Sequence, residues 1–405
     1  MTDQIQSREK AKFSKNFLLM TLNSGISRTG TSGFQLAILW IALLITKSTV
    51  LTGFADGMSA LPLVFSFIFG AVVDRLASKR TMGIFISVLR VISIFALFVA
   101  VEKANLILEV FSIYSVAFVI GMTTDILNSI RSSWSKQFLK EEQYQPGVSI
   151  LQSISAVAEA LGYGFSGVLI VLGLNYAIYG FALIFAVSIV PLFLIRGENT
   201  SKTATERDLK SSVSEGMRFI FRDKRLTALI IIVMAINLTM GTFGIFVVDL
   251  VEVHFRLSAI YYTFLAMTAS IGIILGAVLG SRVRGKVGYY VTGTIFPIAM
   301  ILIIIGNIPS IYPDYGLVLG IGILIGVVNV VIEIAIIRIV NQEMMGRISG
   351  TINTFGMSIM FISGAIGGIL IDIFTLRGAF IFIGITLGMV SFITILFREF
   401  FIMAV

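Results

Sequence analysis

With 405 residues, 57% of them hydrophobic and 13% charged, and a mean hydropathy of +0.99, the chain is too apolar for a soluble domain. The absence of cysteine excludes disulfides, thiolate catalysis and zinc–thiolate sites, and a lone histidine, His254, excludes a histidine-rich metal site. The net charge of +8 does not point to nucleic acid, because the basic residues alternate with apolar stretches in the manner of membrane topology.

The opening segment, Met1 to Lys15, is polar and lacks a cleavable signal pattern. A membrane span needs about 20 apolar residues. Twelve such stretches follow: 17–45, 50–71, 81–101, 106–131, 148–171 and 174–195, then 226–250, 258–280, 287–306, 315–338, 347–371 and 378–397. The first is long for one span, which predicts a tilt or an extramembrane end. Lysine and arginine set the orientation. Arg8, Lys10, Lys12 and Lys15 precede the first span; Arg75, Lys79 and Arg80, then Lys136 and Lys140, then Arg282, Arg284 and Lys286, then Arg347 occupy alternate connections. The opposite connections hold little beyond Lys47, Lys103, Arg256 and Arg377. Both termini are therefore predicted to be cytoplasmic, in a multi-pass protein of the plasma membrane.

Between the second and third spans lies Gly70-Ala-Val-Val-Asp74-Arg75-Leu-Ala-Ser-Lys79-Arg80. Its basic residues suit a cytoplasmic turn. Asp74 adds nothing to that anchoring and is read as pairing with a cation or capping a helix start. Further on, the segment 196–225 interrupts the apolar pattern with eight basic residues, Arg196, Lys202, Arg207, Lys210, Arg218, Arg222, Lys224 and Arg225. It reads as a cytoplasmic linker ending in an amphipathic surface helix. The chain thus divides into an N-terminal six-helix bundle (1–195), the linker (196–225) and a C-terminal six-helix bundle (226–405). The halves look like copies at an offset of 201 to 207 residues: Gly70 with Gly276, Glu142 with Glu343, Arg131 with Arg338. Parallel half-repeats place a site between them near the midplane.

An ionised group inside a bilayer needs a partner or a water-filled cavity. At about 1.5 Å per helical residue, Arg28, Arg90 and Glu159 fall near the midplane. They are expected to form a cluster facing the central cavity, for substrate binding and proton coupling; the alternative is a structural ion pair. Asp125 and Glu333 lie deeper toward the cytoplasm, followed by Arg131 and Arg338. That spacing does not put acid and base on one helix face. These groups are expected to pair across helices, Asp74 with Arg131 for example, as a cytoplasmic gate, with Glu333 a second candidate to carry the proton. Asp56 and Asp249, near the outer ends, are read as solvated. Trp40, Phe34, Phe65, Phe243, Phe246 and Tyr163 are expected in the core or against lipid rather than in a drug pocket. Gly25, Gly30 and Gly33, with Gly162, Gly164 and Gly167, are expected to permit close helix packing. No glycine-rich loop stands between a strand and a lysine, which excludes ATP as the direct energy source.

The turn at 70–80 resembles the loop between helices 2 and 3 of the major facilitator superfamily, G-x-x-x-D-R-x-G-R-K/R. Gly70, Asp74, Arg75 and Lys79 match, while Ala77 and Ser78 replace the usual glycine and arginine. Asn23-Ser-Gly-Ile-Ser-Arg28-Thr-Gly30, Leu61-Pro62, Leu89-Arg90, Glu215-Gly216-Met-Arg218 and Gly346-Arg347-Ile348 are similar to stretches of its drug-efflux branch, which includes the macrolide exporters. The G-P-x-x-x-G element of helix 5 in that branch is matched by Leu161-Gly162-Tyr163-Gly164-Phe-Ser-Gly167 without its proline. The arginine-containing helix 4 motif of proton-coupled relatives is replaced by Gly121-Met-Thr-Thr-Asp125. The resemblance implies an all-α membrane protein with the major facilitator fold, twelve transmembrane helices in two six-helix halves. It implies a monomer that exports lipophilic or amphiphilic small molecules by proton antiport through alternating access. No cofactor, metal, nucleotide or nucleic acid is expected; the partners are substrate, protons and the lipid bilayer. The alternatives are a transporter of an endogenous metabolite or lipid-like solute, a non-transporting receptor, and a membrane-embedded enzyme. The last is disfavoured because the chain has no nucleophile or metal constellation.

Overall fold

The computed structural model describes residues 13–66, 69, 73, 78–102, 105–140, 143–196, 222–280, 282–339, 345–396 and 401. Gly70, Asp74, Arg75, Glu142, Glu343 and linker residues 197–221 lie outside them, so the amphipathic surface helix does too.

The helices are α1 (Lys15–Thr46), α2 (Thr49–Ala60, continued by a 3₁₀ turn, Leu61–Phe65), α3 (Lys79–Glu102), α4 (Leu106–Phe138), α5 (Tyr144–Leu172) and α6 (Leu174–Leu194). Then come α7 (Lys224–Asp249, continued by a π turn, Leu250–His254), α8 (Ala259–Gly280), α9 (Val287–Ile305) and α10 (Tyr312–Ile339). The last helical stretch, Met345–Leu396, is broken at Thr375, where φ is 64° and ψ 165°. It comprises two helices, α11 (345–374) and α12 (376–396). Each coincides with a span read from hydropathy.

Sequence explains where several of them start. Ser14, Ser48 and Asn105 cap α1, α2 and α4, each accepting a backbone N–H of the first turn. Asp223 caps α7 by accepting the Arg225 N–H at 2.9 Å, and the Arg225 guanidinium bonded to the same carboxylate holds it below the usual range. The surfaces suit a bilayer. Phe85, Ile92, Phe111, Met389 and Phe392 are among the many large apolar side chains left exposed. In lipid these need no further cover, and the backbone is satisfied within each helix.

α1 is the most enclosed candidate span, packed against α2, α4, α5 and α6. In the second half α7 packs on the α11–α12 stretch, α8 on α10, and α9 on α10 and the α11–α12 stretch. The halves meet along two seams, α2 with α11 and α5 with α8. Both seams close at the membrane face that carries the α1–α2 and α7–α8 turns. A methyl group added at Gly53 of α2 would lie 2.0 Å from the Gly364 carbonyl oxygen of α11, and one added at Gly57 would lie 2.2 Å from that of Phe361. On the other seam, Gly167 of α5 leaves 2.3 Å for a methyl before Thr263 of α8.

Candidate functional site

The site grows from the approach of α1 and α5. A Cβ at Gly33 would stand 2.6 Å from the Gly162 carbonyl, and one at Gly162 would stand 2.5 Å from that of Thr29. Glycine is needed at both positions, and the helices meet backbone to backbone. Gly164 differs: its nearest neighbour, Met267, would be 3.8 Å from an added Cβ.

One turn from that contact, Arg28 and Glu159 form an ion pair. Arg28 donates through Nε at 3.2 Å, and through Nη2, to Glu159 Oε2. The second oxygen, Oε1, accepts the Tyr163 hydroxyl at 3.1 Å. Tyr163 stands four residues beyond Glu159, on the same helix face. The side chains of Arg28 and Glu159 are 39% and 27% exposed. An ion pair that is part-exposed at mid-span belongs to an aqueous cavity rather than to lipid. Ser270 of α8 lies beside the same tyrosine hydroxyl, so the second half reaches the pair. Nearby, Tyr262 of α8 stacks on Trp40 of α1 at 5.9 Å, with Asp56 of α2 in electrostatic reach of Tyr262.

Arg90 does not join this pair, which corrects the expected three-member cluster. It is 1% exposed and donates to three hydroxyls: Thr123 at 2.7 Å, Ser27 at 2.8 Å and Thr124 at 2.6 Å. Its guanidinium carbon lies 5.1 Å from the centre of the Phe185 ring. The side chain thus ties α1, α3, α4 and α6 together inside one half. Depth was legible from the sequence; the face of α3 was not.

Of the gate residues, Asp125 and Arg131 are described with their partners. Ser66 donates to Asp125 Oδ1 at 2.9 Å, and Asp125 Oδ2 has no partner among the described residues. Arg131 donates to Asn128 of its own helix at 3.1 Å, while its Nε and Nη2 are buried without a partner among the described residues. Among those residues, therefore, neither makes the expected cross-helix ion pair. Glu333 is exposed on α10, Arg338 stands in the last turn of that helix, and Lys79 opens α3.

The outer acids also depart from expectation. Asp249 is only 5% exposed, and Asp56 is half-buried. The sequence placed them at helix ends, but the halves close over those ends. Trp40, Phe34 and Phe246 lie in the core, as expected, and Phe65 is 43% exposed. Tyr163 proves to be a hydrogen-bonding member of the site; its i+4 spacing from Glu159 was the available signal. Two clefts, of about 800 Å³ between α9 and α12 and about 550 Å³ between α5 and α8, are lined by apolar and partly exposed side chains.

Comparison with known proteins completes the description. The sequence profile of the Major Facilitator Superfamily matches residues 20–364. An uncharacterized MFS-type transporter, YkuC of Bacillus subtilis (strain 168), is 23% identical over 367 residues, which is 85% of this chain and 82% of that protein. Among solved structures, the nucleoside transporter NupG is similar with a TM-score of 0.70 and 12% identity, over 95% of this chain and all of the other. A POT family transporter in complex with 5-aminolevulinic acid reaches a TM-score of 0.74 at 13% identity, over 94% and 95%. At such identities the likeness is one of fold.

Proposed function

We propose that this chain, which belongs to the major facilitator superfamily and is a secondary transporter rather than an enzyme, exports lipophilic or amphiphilic small molecules by proton antiport. The observation that carries the reading is the Arg28–Glu159–Tyr163 group. It is the one ion pair found within the spans among the described residues, it is partly exposed at mid-span, and it lies beside the seam between halves. A carboxylate held by one arginine and one hydroxyl exchanges that partner for a proton as the cavity alternates between water and protein. A cationic substrate competes with the proton for the same carboxylate.

In this reading the two six-helix bundles, 1–195 and 226–405, rock about the midplane site, joined by the linker 196–225. With the termini in the cytoplasm, the closed face carrying the α1–α2 turn is the external one. The turn holding Gly70, Asp74, Arg75 and Lys79, together with Asp125, Arg131 and Arg338, acts as the inner gate that closes in the opposite state. Drug-like substrates are supported by the resemblance of helices 1 to 3 to the drug-efflux branch.

The test is transport in proteoliposomes under an imposed pH gradient with a panel of lipophilic cations. The wild type should accumulate substrate against its gradient. Glu159→Gln, which mimics the protonated carboxyl, should still bind and exchange substrate yet lose accumulation. Full pH-driven accumulation by this variant would move the coupling to another acid, with Glu333 next in line.

A further inference from the structure

A second charged cavity lies at the closed face, apart from the midplane pair. It encloses about 490 Å³ between the α1–α2 turn, the end of α7 and α11. Small-molecule sites fall in the range of roughly 300–1,000 Å³. Three carboxylates line it, Asp249, Glu252 and Asp372, against one ammonium, Lys47. Thr49 donates to Asp372 Oδ1 at 3.1 Å, with the Gly368 carbonyl 3.4 Å away. Asp249 is the odd member. It is 5% exposed, faces Asp372 within the second half, where Thr49 of the first half reaches Asp372 across the seam, and has neither a hydrogen bond nor an ion pair among the described residues. A buried carboxyl in that position is costly unless a donor or a proton is supplied. Lys47, in the left-handed conformation at φ 50°, remains exposed beyond ion-pair distance.

We infer that this cavity is a second binding site, which takes a monovalent organic cation with an N–H donor head and an apolar tail, such as a protonated arylalkylamine. The head satisfies Asp249 and Asp372 together, and the tail lies along the apolar wall formed by Leu44 and Val253. A bare metal ion fits less well, because among the described residues no three acids converge closely enough to ligate one. The site takes side chains from both halves, so it exists as a unit only while this face is closed. Its ligand therefore stabilises the closed state and opposes opening. On the export reading this face is external, so a released cation rebinding there slows the next cycle; the binding itself does not depend on that reading.

The experiment is thermal unfolding of the purified full chain in detergent near neutral pH, titrated with phenethylamine and, as the uncharged counterpart, phenethyl alcohol. The amine should raise Tm saturably and the alcohol should not. Asp249→Asn combined with Asp372→Asn should weaken the apparent Kd by about tenfold or more, as expected for loss of charged partners. In a Glu159→Gln background, which removes the midplane carboxylate, the saturable rise from this second site should persist. Lys47→Ala removes the competing ammonium and should tighten binding, a gain that misfolding cannot mimic. The inference is overturned if the wild type shows no saturable rise, if the alcohol matches the amine, if the double variant binds as the wild type does, if only Glu159→Gln abolishes binding, or if Lys47→Ala leaves the Kd unchanged.

Discussion

Two arginines at similar depth, Arg28 and Arg90, have opposite surroundings. Arg90 is sealed in one half, meets hydroxyls and an aromatic ring, and touches no carboxylate among the described residues. Arg28 is 39% exposed, faces a carboxylate, and sits where the second half reaches the first. An arginine satisfied by neutral groups inside a packed bundle has one stable arrangement. An arginine sharing a carboxylate with a tyrosine beside water has several, and each can be selected by a proton or a ligand. Intramembrane charge is therefore not one signal: what surrounds it decides whether it fastens the bundle or serves transport.

The largest expected effect sharpens the transport side of that contrast. Glu159→Gln should lower pH-driven accumulation by at least about tenfold, equivalent to roughly 1.4 kcal/mol in the coupled step, with thermal stability little changed. The measurement is initial uptake in everted vesicles alongside Tm. Equal losses of transport and stability would put Glu159 in the same class as Arg90.

Stability gives the next test. Arg90→Ala should cost about 2–5 kcal/mol through the cavity it leaves. Arg90→Met should recover most of it, since Thr123 and Thr124 already donate to carbonyls of their own helix. Arg28→Ala should cost less than about 1 kcal/mol, as an open ion pair does. Denaturant unfolding of the three variants decides the matter; a larger loss for Arg28→Ala than for Arg90→Ala would reverse the assignment.

Packing supports the pair from behind. Gly162→Ala puts a methyl 2.5 Å from the Thr29 carbonyl and should cost about 1–3 kcal/mol by overpacking. It should also part α1 from α5, which a spin-label distance across these helices would register as lengthening. The smallest effect is expected of Tyr163→Phe, which removes one hydrogen bond to Glu159, about 1 kcal/mol. Transport should fall several-fold with the fold intact; no change would remove the tyrosine from the site.

Much of this architecture could be read in advance. The span limits and the depth of Arg28 and Glu159 follow from hydropathy and a fixed helical rise, both local properties. That the glycines of helices 1 and 5 permit close packing was expected from the sequence; that Gly33 and Gly162 do so against each other emerged from the structure. The face of α3 could not be read, because an apolar span has residues of one character all round and its rotation is set by neighbours. That is why Arg90 was grouped with the wrong partners. Asp249 was misread for a related reason: its burial comes from α2 and α11, far away in the chain, closing over a helix end that looks open in isolation.

The glycines between α2 and α11 have a mechanical consequence. Main chain rests on main chain at Gly53, Gly57 and Gly364, with little side-chain interlock to undo. Separating such surfaces requires few rotamer changes. The seam can therefore part in small steps rather than by undoing interlocked side chains.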